Sequence, residues 1–205
     1  MKKILLSSLI AITSFFSANA QKDFGEIEVG FSFGYNTSIL RNSNEDTEFK
    51  RSTNYLGSVE FFLNDRWGIK SGLNFEKKGW KSNSISFGVL EGNYKENNVE
   101  YDLSYLSIPL MANWHFGYER NWNLNFGFYT GFLLKAEEGS KNITKEFNTV
   151  DFGLAYGIGY KRRLSDRIKI LFDFQSQSGF TKIFKESLKA KNWRGGVNVG
   201  ILYGF

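Results

Sequence analysis

From Glu26 to Leu40 the chain changes polarity at almost every step. Ile27, Val29, Phe31, Phe33, Tyr35 and Ile39 share one parity, and Glu26, Glu28, Gly30, Ser32, Gly34, Asn36 and Ser38 share the other. Successive side chains of a β-strand point to opposite faces, so this segment makes a strand with one apolar face and one small, polar face. The pattern returns seven more times. One or two such strands suit a soluble sheet, but eight long copies behind an export signal predict a barrel whose outer face meets lipid.

The expected strands after the first run roughly from Arg51 to Leu63, Trp67 to Lys78, Tyr105 to Phe116, Trp122 to Lys135, Val150 to Lys161, Ile168 to Gln177 and Trp193 to Phe205. Each reaches the roughly 9 to 11 residues that a tilted membrane strand needs. Connections are expected to be long after strands one, three, five and seven, and short after two, four and six. Outer-membrane barrels put the short turns and both termini in the periplasm and the long loops outside. An even strand number lets the last strand pair with the first, which removes the unpaired edges that hydrocarbon does not tolerate. The predicted fold is all-β: an eight-stranded antiparallel up-and-down transmembrane β-barrel with a narrow, packed, polar lumen.

Residues 1–20 read as a signal peptide. Lys2 and Lys3 open it, Ile4 to Phe16 is apolar apart from Ser and Thr, and Ala18-Asn19-Ala20 is a small-x-small cleavage site. The apolar run is too short to span a bilayer, and no cysteine follows to carry a lipid anchor. The predicted mature domain, residues 21–205, is exported to the cell outer membrane of a Gram-negative bacterium. Zero cysteines exclude disulfides and thiolate sites. The formal charge of +5 falls to +3 without Lys2 and Lys3 and is scattered, so no nucleic-acid partner is expected.

Aromatic residues sort by height along the strands. Trp67, Trp114, Trp122 and Tyr160 fall beside the short turns and form the expected periplasmic aromatic girdle. On the polar parity, glycines and charged residues predict a crowded interior in which Glu26, Glu28, Glu60, Lys70, Glu76, Lys135, Asp151, Lys161, Lys169, Asp173 and Arg194 pair with one another. A barrel of eight strands has room inside for side chains but none for a water channel.

Two other folds or activities compete with this expectation. A soluble lipocalin-like barrel binding a ligand inside would put large apolar residues in the lumen, the reverse of this pattern. A lipid-modifying outer-membrane barrel enzyme would need a Ser-His pair with an acidic partner. The single histidine, His115, lies two residues before a short turn, at the end expected to be periplasmic. No catalytic residue, cofactor or metal site is expected. Gly157-Ile158-Gly159 lies within a strand and lacks the helix that a phosphate loop requires.

Several segments resemble the PorT-like outer-membrane β-barrel family of Bacteroidota: Ser71-Gly72-Leu73 with Lys77-Lys78-Gly79, Tyr105-Leu106-Ser107-Ile108-Pro109-Leu110, Gly127 to Lys135, and Asp151-Phe152-Gly153. Where that family usually has Arg-Tyr in strand seven, this chain has Asp173-Phe174-Gln175-Ser176. The Tyr-Leu-x-Ile-Pro-Leu segment holds the only proline, Pro109, whose missing donor predicts a bulge or kink in strand four. The resemblance implies fold and location, brings no catalytic residues, and implies that the terminal aromatics Tyr203 and Phe205 are the signal read by the outer-membrane assembly machinery. The family's namesake is linked to protein secretion. The expected function is therefore a non-catalytic surface barrel, structural or acting on an envelope or secretion partner through its long loops. Trp80, Phe87 and Tyr94, in the polar stretch from Gly79 to Val99, are the candidate recognition residues.

Overall fold

The computed structural model describes residues 24–43, 47–82, 99–185 and 189–205. The expected signal peptide lies outside them, as do Phe87 and Tyr94. In chain order the elements are β1 (Ile27–Arg41), β2 (Thr47–Phe62), β3 (Trp67–Ser82), β4 (Val99–Phe116), β5 (Trp122–Glu138), β6 (Lys141–Asn142), a 3-10 turn (Thr144–Glu146), β7 (Val150–Arg163), β8 (Ile168–Gly179) and β9 (Lys191–Gly204). The sheet runs β4-β3-β2-β1-β9-β8-β7-β5, and pairing of β4 with β5 closes it. All pairs are antiparallel, and the chain termini meet where β1 joins β9, from Glu28↔Gly204 to Arg41↔Lys191. The two-residue β6 is an appendage of β5, so the barrel has eight staves.

The tight turns are built from their own side chains. Asn64 Oδ1 accepts the backbone N–H groups of Arg66 and Trp67 at 2.9 Å each, an Asx turn that reverses the chain between β2 and β3. Arg120, in the β4–β5 turn, donates to Asp65 Oδ2 from Nε and from a terminal nitrogen at 3.2 and 3.1 Å, which ties two neighbouring turns together. At the opposite end the connections are residues 42–46, 83–98, 139–149 and 180–190. The first is no longer than the turn at 117–121, contrary to the expected long loop, because β1 and β2 each extend beyond their expected ends.

Two irregularities shift the register. One lies on β2 between Phe49 and Asn54, opposite β3. The other lies between β4 and β5, where Tyr105 faces Leu133 but Ser104 faces Lys135. Pro109 sits at neither: it pairs with Tyr129 in unbroken register with β5, and its carbonyl, facing β3, accepts the Ser71 hydroxyl at 2.8 Å. The expected bulge or kink at Pro109 takes the form of a lapse in the β3–β4 pairing between Ser71↔Leu110 and Asn74↔Ser107, without a change of register.

The wall changes character along its height. Over most of it the outward residues are apolar and the inward ones polar, as alternation predicts. Near the long connections this reverses: Arg41, Lys77, Lys81, Glu100, Asp102 and Lys135 point outward, while Leu40, Trp80, Tyr101, Leu103, Leu133 and Ala136 are buried inside.

Candidate functional site

The lumen is an electrically balanced, hydrogen-bonded filling. Among the described residues, Glu28, Glu60, Glu76, Asp151 and Asp173 face Lys70, Lys78, Lys161, Lys169 and Arg194, five acids against five bases. Burial of any one of these charges alone would be prohibitive, so each is matched within the barrel. Close approach across the narrow interior also dictates small residues. A Cβ on Gly34 would fall 2.0 Å from Asn198 Oδ1 and 2.4 Å from Asn54 Oδ1, so a larger residue there would have to displace both amides.

Three groups of side chains stack from the short turns upward. At the base, Lys161 bridges Glu28 and Glu60, the latter at 2.8 Å, and Lys169 reaches Glu28 at 2.6 Å. His115 Nε2 lies 2.6 Å from Glu60, and its ring packs on Phe62 with centroids 5.1 Å apart. In the middle an amide chain runs from Asp173 through Asn198, Asn54 and Asn74 to Glu76, with links of 2.7, 3.0, 3.4 and 2.7 Å. Above it Asp151 Oδ2 accepts Lys78, Tyr129 and Asn192 at 3.1, 3.0 and 3.0 Å. Lys78 also lies over the Tyr129 ring at 4.4 Å. Lys78 was not among the expected lumen charges, although its parity with Glu76 would have found it. Lys135, which was expected inside, is exposed and pairs with Glu137 at 2.6 Å, because the β4–β5 irregularity displaces it to the outer face. Glu26 precedes β1 and is half-buried.

Over this filling sits an apolar plug. Trp80 stacks on Tyr101, centroids 4.6 Å apart and planes 10° apart, and touches Phe147 and Phe184 from the two long connections. Phe147 and Phe184 also pair through backbone, so those connections fold over the mouth together. Trp80, expected in a recognition loop, is thus a buried strand residue. The glycine before it, expected at the start of the polar stretch, lies within β3: Gly79 has φ +151°, and Ser38 both donates to and accepts from its backbone at 2.9 Å. Lys50 threads past Gly79 to reach Glu100 and Asp102 at 2.9 and 2.8 Å. Glu100 stands on the polar extension of β4 above the apolar band. There the Lys81 and Lys50 ammonium groups hold its carboxyl at about 2, well below the ordinary range.

The aromatics beside the short turns make a continuous band on the outer wall. Neighbouring ring centroids lie 6.3 Å apart from Trp67 to Trp114, 5.0 Å to Phe116, 6.4 Å to Trp122 and 5.0 Å to Tyr160. The last strand ends in an edge-to-face pair, Tyr203 and Phe205, and Arg167 donates to the Tyr203 hydroxyl at 3.1 Å.

In architecture the chain is similar to three solved barrels, each at an identity that speaks for fold alone. Outer membrane protein OprG from Pseudomonas aeruginosa is 12% identical with a TM-score of 0.58, covering 92% of this chain and 99% of that one. AlkL, determined in lipid bilayers, is 12% identical with a TM-score of 0.53, covering 92% and 93%. Neisserial surface protein A is 12% identical with a TM-score of 0.51, covering 88% and 99%. No curated protein matches the chain in sequence. The family model described as outer membrane protein beta-barrel domain matches residues 19–185. With its closed ring of eight antiparallel staves and a match over most of its length, the chain belongs to the outer membrane protein beta-barrel domain family.

Proposed function

We propose that this outer-membrane barrel is non-catalytic and works through its long connections, as a surface protein that contacts an envelope or secretion partner. The observation that carries this reading is the filled lumen. Balanced ion pairs fill it from the short turns upward and the plug around Trp80 closes the mouth, so the described interior offers neither an ion pathway nor a substrate cleft. His115 supports the same view, since its ring nitrogen is engaged by Glu60 and Asn113 rather than by a serine hydroxyl. In this reading the protein is PorT-like, the short turns face the periplasm, the Trp67 to Tyr160 band marks the inner interface, and Tyr203 and Phe205 are read by the assembly machinery.

The test has two arms. Purified protein in planar bilayers should show no stepwise conductance. A photo-reactive residue at position 94, within 83–98, should give a discrete adduct with one envelope protein in cells, and deletion of 83–98 should abolish that contact while heat-modifiable migration persists. Regular conductance steps, or an assembled barrel without any adduct, would overturn the proposal.

A further inference from the structure

Four cations on the outer wall near the long connections have no acidic partner among the described residues: Lys191 on β9, Arg41 on β1, Arg51 on β2 and Lys77 on β3. These strands are consecutive around the barrel. Arg41 and Lys191 are direct cross-strand partners. Like charges set opposite each other destabilise a sheet, so nothing within the described barrel accounts for the placement. The other described cations on the eight staves at this end are answered: Lys81 by Glu100 at 2.5 Å, Lys50 by Glu100 and Asp102, Lys135 by Glu137. Lys141, Lys145, Lys182, Lys185 and Lys189 stand on the connections rather than on the staves. On the staves the surplus is confined to one half of the rim.

That half of the rim also holds a pocket of about 610 Å³, a size that suits a small amphiphile. It opens where β2 slips register, between Phe49 and Asn54. Ile39 and Phe49 form an apolar side, and Phe49 is braced edge-on by Trp193 at 6.1 Å. Arg51 and Lys81 line the polar side with Glu48 and Glu100, and Glu100 is already taken up by Lys81 and Lys50. Directly below on these strands Tyr35, Tyr55, Phe75 and Val197 are exposed to the membrane.

We propose that this crescent binds the phosphorylated headgroup of a lipid in the surrounding leaflet, with Arg51 and the Arg41–Lys191 pair as phosphate ligands and Phe49 and Ile39 against the first acyl carbons. Guanidinium groups suit phosphate oxygens, and cations grouped just above an apolar band meet headgroups at that height. A free anion would gain nothing from the aromatic side of the pocket. The apolar side of the pocket, continuous with the exposed aromatics below it, favours a lipid over an acidic protein, and labelling from position 51 separates the two. The inference is independent of what the long connections contact.

The experiment uses the full chain, folded in neutral detergent, and a variant carrying Arg41→Gln, Arg51→Gln, Lys77→Gln and Lys191→Gln. A control variant, Arg66→Gln with Arg162→Gln, removes charge at the other end, and heat-modifiable migration verifies that all three are folded. The probes are diphosphorylated lipid A, the same lipid without phosphates, and inorganic phosphate. The wild type and control should bind the phosphorylated lipid at least tenfold more tightly than the dephosphorylated one. The fourfold variant should lose that preference, and added salt should weaken what remains. Equal binding by the fourfold variant overturns the proposal. So does inorganic phosphate displacing the lipid at matched concentration, which would mark a simple anion site. A photo-reactive group at position 51 should label lipid in cells, and a protein adduct in its place would overturn the lipid assignment.

Discussion

Glu76 and Arg194 meet across the lumen, Oε2 to Nε at 2.8 Å, and neither side chain has any exposed surface. The two groups form an ion pair without the alignment of a good hydrogen bond, as the guanidinium nitrogens find no well-placed acceptor. Arg194→Leu alone leaves an acidic group facing only Lys78, Ser107 and Asn74. Loss of one member of such a pair costs about 3 to 5 kcal/mol. The double change Glu76→Gln with Arg194→Leu should cost less than the two single losses added together. Urea unfolding in lipid vesicles, followed by tryptophan fluorescence, measures this, and strictly additive losses would show that the pair is not coupled.

Gly79→Ala is expected to block assembly. Its Cβ would stand 1.8 Å from the Tyr101 carbonyl oxygen and 3.1 Å from Lys50 Cδ, at a φ of +151°. Backbone cannot give way as a flexible side chain can. Outer-membrane yield and heat-modifiable migration report the outcome; normal levels of a folded variant would contradict the packing described.

Trp80→Ala should act on stability. Removal of a buried tryptophan costs about 3 to 5 kcal/mol, and here the loss falls on the plug formed with Tyr101, Phe147 and Phe184. Protease digestion of the intact variant should cut the 139–149 and 180–190 connections faster than in the wild type. A variant with wild-type protection would mean that the plug does not hold these connections down.

His115→Ala should leave the lipid A mass profile of the cells unchanged while lowering stability by about 1.5 to 3 kcal/mol, the range for a hydrogen bond to a charged group, here the one to Glu60, which keeps Lys161 and Asn113. An altered lipid profile would reopen the enzymatic alternative.

Removal of Phe205 should separate two processes. If Tyr203 and Phe205 are read by the assembly machinery, accumulation in the outer membrane falls while refolding into detergent from urea proceeds as before. Equal loss in both settings would assign Phe205 a purely structural role.

Alternation was enough to read the eight staves, because parity alone decides which side chains meet lipid. Its two failures have different causes. Lys135 follows a register slip, so its parity no longer reports its face. Trp80 keeps the parity of Lys78, but it follows a glycine in a polar stretch, and an outer face that turns polar at that height looks like a loop in sequence. Partner identity in the lumen was beyond reach for a different reason. The amide chain from Asp173 to Glu76 joins residues of four strands, and its links depend on barrel stagger, which a single strand does not encode.

The reversal of inside and outside near the long connections gives this protein two folding environments in one sheet. Below the reversal, cohesion depends on hydrocarbon around the wall; above it, Leu103, Trp80, Tyr101 and Leu133 build a water-excluding centre of the kind found in soluble barrels. The upper collar can therefore gain its apolar burial in water alone, whereas the lower staves need a membrane to satisfy their outer face. The staves that cross the bilayer thus end, at their far side, in a small soluble-type domain made from the same strands.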